Sequence, residues 1–214
     1  MLAECALCQS REAEAFALMD ECVDQLATAG YSAEREEAIT WRGELHLWLG
    51  QYGAALADLG PGMASGFPYA LIWGGAAHLL IGDHDRALAL LGRAVQAVPG
   101  DAEAYLWRGE LYERLAHLDR AVADFDRALA MTGMAVWPCV GRALANARIG
   151  DAAATIADFT ALPERVRALF EWKTGTRVDG DPRVAVDVLL KMREAARGLR
   201  RSEHYLEVLW MKRG

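Results

Sequence analysis

The sequence has no long apolar run and none of the common active-site motifs. Every apolar stretch falls short of the roughly 18 residues that a transmembrane helix needs. Residues 1–14 lack the basic segment and long apolar core of a secretion signal. HExxH, GxSxG and glycine-rich phosphate loops are also absent. We therefore expect a soluble, cytoplasmic protein that is not an enzyme, with no cofactor, no metal and no membrane partner.

Cysteine and lysine are scarce. The four cysteines are Cys5, Cys8, Cys22 and Cys139, and a zinc site at the lone CxxC of Cys5 and Cys8 would need two further spaced ligands. None is evident, so we interpret the cysteines as small apolar residues of a protein in a reducing compartment. Arginine supplies twenty of the 23 basic residues, which, with abundant alanine and glycine, indicates a GC-rich, bacterial genome.

The net charge of −7 is unevenly distributed. Residues 1–40 hold nine acids and two bases, whereas residues 164–214 hold twelve bases and eight acids. Because phosphate binding needs clustered lysine and arginine, the acidic body of the chain argues against nucleic acid as a partner. The basic end of the chain is a separate feature.

An internal repeat organises the chain. The pentad WRGEL occurs at residues 41–45 and again at 107–111, and residues 68–101 align with residues 102–135 at a spacing of 34. The alignment extends back to residue 36 and forward to residue 163. The aligned pairs in the two central units are Gly75 with Gly109, Ala87 with Ala121, Leu91 with Phe125, and Ala94 with Ala128.

Each unit has the pattern of two helices joined by a short turn. In residues 120–131 Ala121, Phe125 and Ala128 recur at three- and four-residue spacing on one face, which predicts an amphipathic helix. Gly109 and Ala121 would let the two helices of a hairpin approach closely, with Phe125 filling the space beside them. Pro99 predicts the end of the helix before it. We therefore expect an all-α fold.

The repeat resembles the tetratricopeptide repeat family, whose 34-residue unit is a helix-turn-helix. The resemblance rests on Leu71, Gly75, Ala87, Leu91, Ala94 and Pro99 in one unit and on Tyr105, Gly109, Tyr112, Ala121, Phe125 and Ala128 in the next. It implies a right-handed α-solenoid of antiparallel helix hairpins.

We expect three segments from this resemblance. The first is an N-terminal cap of one or two helices in residues 1–35. The second is four repeats, here called repeats 1 to 4, in residues 36–67, 68–101, 102–135 and 136–163. The third, residues 164–214, would hold a degenerate fifth hairpin and a basic C-terminal helix. In repeat 1, Gly60, Pro61 and Gly62 predict that the second helix is truncated at Leu59.

The resemblance also implies which side chains line a concave groove, namely positions 2, 5, 6, 9, 12 and 13 of each first helix. Position 6 is tryptophan in three consecutive repeats, and carboxylates stand among the aromatic residues. The candidate groove residues are Trp41, Glu44, Trp48, Tyr69, Ile72, Trp73, Leu106, Trp107, Glu110, Trp137 and Arg148. Aromatic side chains beside acids are typical of a surface that binds an apolar and basic protein segment.

Other interpretations of these residues remain open. The position-6 tryptophans could pack between neighbouring first helices as interior residues. The groove could bind a small apolar or sugar-like ligand, or the chain could associate with itself through residues 199–214. A clamp for a C-terminal carboxylate, known in some family members, does not fit, because its basic and amide positions hold Thr40, Glu44, Glu103 and Trp107.

Overall fold

The computed structural model describes residues 11–132 and 136–198, and this part of the chain is helical without any strand. We number its helices in chain order. They are α1 Glu12–Ala29, α2 Ser32–Trp48, α3 Tyr52–Ser65, α4 Pro68–Leu80, α5 His84–Ala97, α6 Ala102–Arg114, α7 Leu118–Thr132, α8 Val136–Ile149, α9 Ala152–Ala161, α10 Glu164–Thr174 and α11 Pro182–Gly198. None of the described helices is long and apolar enough to cross a bilayer.

The helix ends follow from local sequence. Asp83, Asp101 and Asp151 stand before α5, α6 and α9, and each carboxylate accepts a hydrogen bond from a main-chain N–H of the first turn. Such caps satisfy donors that the helix itself leaves unpaired. α5 ends at Ala97, as Pro99 predicts, and α9 ends before Pro163.

The turn inside each hairpin uses a left-handed residue at the same repeat position. Gly50, Gly82 and Gly150 have φ angles of 73°, 85° and 95° in repeats 1, 2 and 4. In repeat 3 the same position holds Ala116, with a φ angle of 60°. An alanine in this region costs conformational energy that glycine does not, so repeat 3 carries a strain that its neighbours avoid.

In repeats 1 to 3 the two helices of the hairpin touch through glycine at position 8 and a large residue at position 24. A Cβ added at Gly43 would lie 2.8 Å from Leu59 Cγ, and one added at Gly75 would lie 2.6 Å from Leu91 Cγ. At Gly109 the same atom would lie 2.9 Å from Phe125 Cε1. The close approach predicted from the repeat pattern is confirmed, and it buries the position-24 side chains completely.

The predicted truncation of the second helix in repeat 1 is wrong. α3 continues through Pro61 to Ser65 and ends at Gly66, whose φ is 84°. Pro61 leaves the carbonyl of Ala57 without its helical donor, but both residues are exposed, so water can satisfy that carbonyl. Gly62 lies where a Cβ would meet the Ala70 side chain at 2.6 Å, which lets α3 pack closely on α4.

The described residues fall into two compact units, an N-terminal unit of residues 11–99 and a C-terminal unit of residues 100–198. In the N-terminal unit α1 packs on α2 through Ala15, Met19, Leu45 and Leu49. In the C-terminal unit a core cluster of Ala121, Phe125 and Ala145 joins α7 to α8. α11 packs against α8 and α9 as well as against α10. Cys5, Cys8 and residues 199–214 lie outside the described residues.

Candidate binding surfaces

The arginine of the repeated pentad forms an ion pair within its own hairpin. In three repeats the position-7 arginine on the first helix binds an aspartate sixteen residues later on the second. The pairs are Arg42 with Asp58, Arg108 with Asp124, and Arg142 with Asp158. Arg108 donates from Nε and Nη2 to the two Asp124 oxygens, at 2.7 Å each. This bidentate geometry is the strong form of the arginine–carboxylate contact.

Two of these arginines also reach the preceding helix. Arg42 Nη1 lies 2.5 Å from Asp20 on α1, and Arg142 Nη1 lies 2.5 Å from Asp126 on α7. The hydrogen bonds to Asp58 and Asp158 are the main cause of the raised pKa values of Arg42 and Arg142. The arginine of WRGEL therefore joins helices and does not project toward a partner.

Repeat 2 does without this ion pair. Its positions 7 and 23 hold Gly74 and Leu90. A Cβ at Gly74 would overlap the Met63 sulfur, so a methionine from α3 fills the space beside α4. The aspartate and the arginine are thus lost together, which avoids leaving one partner buried and unpaired.

The position-6 tryptophans are mostly interior. Trp41 is half-buried and packs on the cluster of Ala15, Met19, Leu45 and Leu49. Trp73 and Trp107 are only 5% and 8% exposed. In repeat 4 the position holds Gly141, where a Cβ would lie 2.5 Å from Phe125 Cζ, so the larger residue at position 24 of repeat 3 leaves no room for an indole. The alternative in which the position-6 tryptophans pack as interior residues therefore describes Trp73 and Trp107.

One aromatic surface of the N-terminal unit is partly accessible, with Trp73 as its buried member. We call Glu44, Trp48, Tyr69 and Trp73 the aromatic patch. Trp48 and Trp73 meet edge to face with ring centroids 5.8 Å apart, and Trp48 Nε1 donates to Glu44 Oε1 at 3.0 Å. Tyr69, one helical turn before Trp73, is 47% exposed. Ile72, beside Trp73 in sequence, is completely buried.

The remaining candidate residues lie in the C-terminal unit. Leu106, Glu110 and Trp137 are half-buried, and Leu106 packs against the cluster of Ala121, Phe125 and Ala145. Arg148 is exposed and donates from Nη1 to Glu113 Oε1 at 2.8 Å. Glu113 is 4% exposed, and its second oxygen accepts from Arg193 Nη1 on α11, also at 2.8 Å.

The family model described as tetratricopeptide repeat matches residues 78–133, which run from the end of α4 through α7. Residues 78–133 therefore carry the tetratricopeptide repeat signature. The fold is the all-α solenoid class of this family, and it indicates a protein–protein interaction scaffold. No curated protein matches the chain.

Solved tetratricopeptide structures share this fold at low sequence identity. A point mutant of MamA has a TM-score of 0.55 at 18% identity, covering 82% of this chain and 98% of its own. A thermophilic tetratricopeptide protein of Thermus thermophilus has a TM-score of 0.56 at 22% identity, with 82% and 99% covered. A tetratricopeptide repeat protein of Parabacteroides merdae ATCC 43184 has a TM-score of 0.58 at 18% identity, with 100% and 81% covered.

The two described cysteines lie in different environments. Cys139 is buried, and its Sγ donates to the Asp158 carbonyl oxygen at 3.1 Å. Burial raises the pKa of this thiol to about 12, so it remains protonated and unreactive near neutral pH. Cys22 is free and exposed, so it does not contribute to the core.

Sequence reasoning missed Arg193 as a partner of the tetratricopeptide repeats. The residue lies eighty positions after Glu113, in α11, which belongs to the predicted degenerate fifth hairpin and keeps only part of the repeat pattern. The available signal is the basic, amphipathic pattern of α11, which marks an apolar face for packing. It does not identify the carboxylate that its arginine binds.

Proposed function

We propose that the chain is a non-catalytic, cytoplasmic scaffold that binds an apolar and basic segment of a partner protein on the aromatic patch. The observation that supports this most directly is Tyr69, which remains 47% exposed on a helix whose following ten residues are all buried. Its ring meets that of Phe67 edge to face, with centroids 6.0 Å apart, and an exposed aromatic side chain beside other rings is typical of a binding hot spot.

The aromatic rings and the carboxylate of the aromatic patch favour a partner segment that is both apolar and basic. Indole and phenol rings offer apolar area at a low cost in conformational entropy, and their faces attract a cation. Glu44 adds a half-buried carboxylate beside Trp48, at 3.0 Å from its Nε1. A partner segment with an arginine or lysine next to an apolar residue would satisfy both features. Leu106, Glu110 and Trp137 are proposed to offer the same combination in the C-terminal unit.

A random peptide library displayed on phage, selected on the immobilised full chain, tests this proposal. We expect a class of enriched peptides that combines arginine or lysine with leucine, phenylalanine or tryptophan. Tyr69→Ala and Glu44→Lys should each weaken these peptides about tenfold, the first by removing contact area and the second by charge repulsion. Asp24→Lys, which makes the same charge change at an exposed position of α1, should leave their affinity unchanged.

Two results would contradict the proposal. One is a selection without any basic and apolar class. The other is such a class that binds Tyr69→Ala and Glu44→Lys as tightly as the native chain, after circular dichroism has shown that both variants fold. A different result is that basic and apolar peptides are enriched on a chain lacking residues 199–214 but not on the full chain. This would indicate that the C-terminal segment already occupies the aromatic patch.

A further inference from the structure

The C-terminal unit has a concave surface whose charge is opposite to that of the aromatic patch. A depression of ≈ 680 Å³ lies between α8, the start of α9 and one face of α11. Three arginines line it, Arg148 from α8 and Arg183 and Arg193 from α11, and we call it the arginine pocket. Glu113 is the one carboxylate in its lining.

The charges in the arginine pocket do not balance. Glu113 uses one carboxylate oxygen for Arg148 and the other for Arg193, at 2.8 Å each, so its single negative charge faces two guanidinium groups. Arg183 is exposed, and its side chain forms no ion pair with the described residues. The pocket therefore carries an excess of positive charge on a chain whose net charge is −7.

The buried carboxylate also holds one arginine in place for a ligand. Arg148 Nη1 donates both to the Glu113 main-chain oxygen and to Oε1, while its Nε and Nη2 make no hydrogen bond among the described residues. A guanidinium fixed on one edge and open on the other can bind a second carboxylate without first losing side-chain freedom. The 43% exposure of the Arg148 side chain leaves that edge accessible.

The remaining wall of the arginine pocket is apolar. Val186 and Leu190 of α11 line it together with Leu144 of α8, and Leu190 is 37% exposed. A small inorganic anion would contact the guanidinium groups and leave this wall in water. A peptide with a carboxylate next to an aliphatic side chain would cover both parts, and the volume is within the range of pockets that hold ligands of that size.

The geometry points to a second binding site, for an acidic segment of a partner protein in which aspartate or glutamate adjoins leucine, isoleucine or valine. Arg148 and Arg183 bind the carboxylates, and Leu144, Val186 and Leu190 bind the aliphatic side chain. This goes beyond the proposed function, because the residues and the ligand charge differ. The chain would therefore recognise two protein segments of opposite charge.

The peptide selection is repeated on the Glu44→Lys variant, which carries the arginine pocket intact. We expect enrichment of acidic and aliphatic peptides. For synthetic copies of these peptides, Arg183→Glu should weaken binding by at least about tenfold, because it replaces attraction with repulsion at an exposed position. Arg148→Ala should have a similar effect. Arg177→Glu, the same charge change at a side chain that is 83% exposed and outside the pocket, should have none.

Three outcomes would overturn the inference. The selection could return no acidic class, or acidic peptides could bind Arg183→Glu and Arg148→Ala as tightly as the native chain. Inorganic phosphate or a short single-stranded oligonucleotide could also displace the peptides and show the same dependence on Arg183, which would assign the pocket to a phosphate ligand. If Arg183→Glu and Arg177→Glu unfold at the same temperature as the native chain, a loss of binding is not caused by a loss of fold.

Discussion

At the scale of single residues, the three Arg–Asp pairs explain why the pentad recurs. The glycine of each WRGEL admits the position-24 side chain, the leucine is buried, and the arginine joins the two helices of the hairpin. Only the glutamate and part of the first tryptophan remain for contact with a partner. The pentad is therefore mainly a folding signal, and its repetition reflects the repetition of one hairpin contact.

Removing one partner of a pair should cost more than removing both. Asp124 is 5% exposed, so Asp124→Leu leaves the Arg108 guanidinium half-buried without its carboxylate. We expect the free energy of unfolding to fall by about 2 kcal/mol in this variant. The double variant Arg108→Met, Asp124→Leu should recover at least half of that loss, because repeat 2 already folds with an apolar group at these positions.

Urea unfolding followed by circular dichroism measures both values, and Arg108→Met completes the cycle. If the double variant is less stable than Asp124→Leu alone, the pair is not replaceable and the comparison with repeat 2 is invalid. A loss below about 0.5 kcal/mol for Asp124→Leu would place the pair among ordinary surface ion pairs.

At the scale of helices and turns, the strongest sequence signals show where the helices of each hairpin begin and end. The positions of α4 to α7 follow from apolar periodicity, aspartate caps and the glycine turns, and these were predictable. The truncation predicted from Pro61 was wrong because it considered only the local effect of proline on a helix and not the neighbouring helices. Exposure of the freed carbonyl and the close contact of Gly62 with Ala70 let α3 continue, and both depend on neighbouring helices.

Ala116 is the turn position at which a substitution should stabilise the chain. Its φ of 60° lies in the region that repeats 1, 2 and 4 fill with glycine. We expect Ala116→Gly to raise the free energy of unfolding by about 0.5–1 kcal/mol, since relief of backbone strain exceeds the entropy that glycine adds to the unfolded chain. Ala123→Gly, at an exposed position inside α7, should lower it by about 1 kcal/mol. Thermal and urea unfolding measure both changes. If Ala116→Gly lowers the free energy of unfolding as much as Ala123→Gly does, Ala116 is unstrained.

At the scale of the whole molecule, the chain presents two surfaces of different chemistry in its two units. The aromatic patch lies in residues 11–99 and the arginine pocket in residues 100–198. No single residue belongs to both. Such a scaffold could hold two partner segments together, which gives the repeat array a role that neither surface has alone.

Peptides of the two classes should therefore bind without competing. In isothermal titration, the acidic peptide should bind the native chain with the same affinity in the absence and presence of saturating basic peptide, with one of each bound per chain. Raising the salt concentration should weaken the binding of both peptides, because each contact pairs opposite charges that salt screens. Mutual displacement would mean that the two peptides use one surface or that binding to one unit alters the other.

The sequence by itself determined the repeat period, the helix hairpins and the pairing of a small residue with a large one inside each hairpin. These features are local, since they arise from positions within about 34 residues that recur at one spacing. The class of fold and the candidate aromatic residues followed from them. The period could not show which side of a helix its tryptophan would face.

The tertiary structure alone decided which of those side chains remain accessible. Trp73 and Trp107 are buried whereas Tyr69 is exposed, although all three satisfied the same repeat pattern. The contact of Glu113 with Arg193 joins helices eighty residues apart, and the degenerate repeat pattern of α11 does not predict it. Burial and long-range ion pairs depend on how helices that are distant in sequence pack against each other, and a pattern of residue types along the chain does not contain that information.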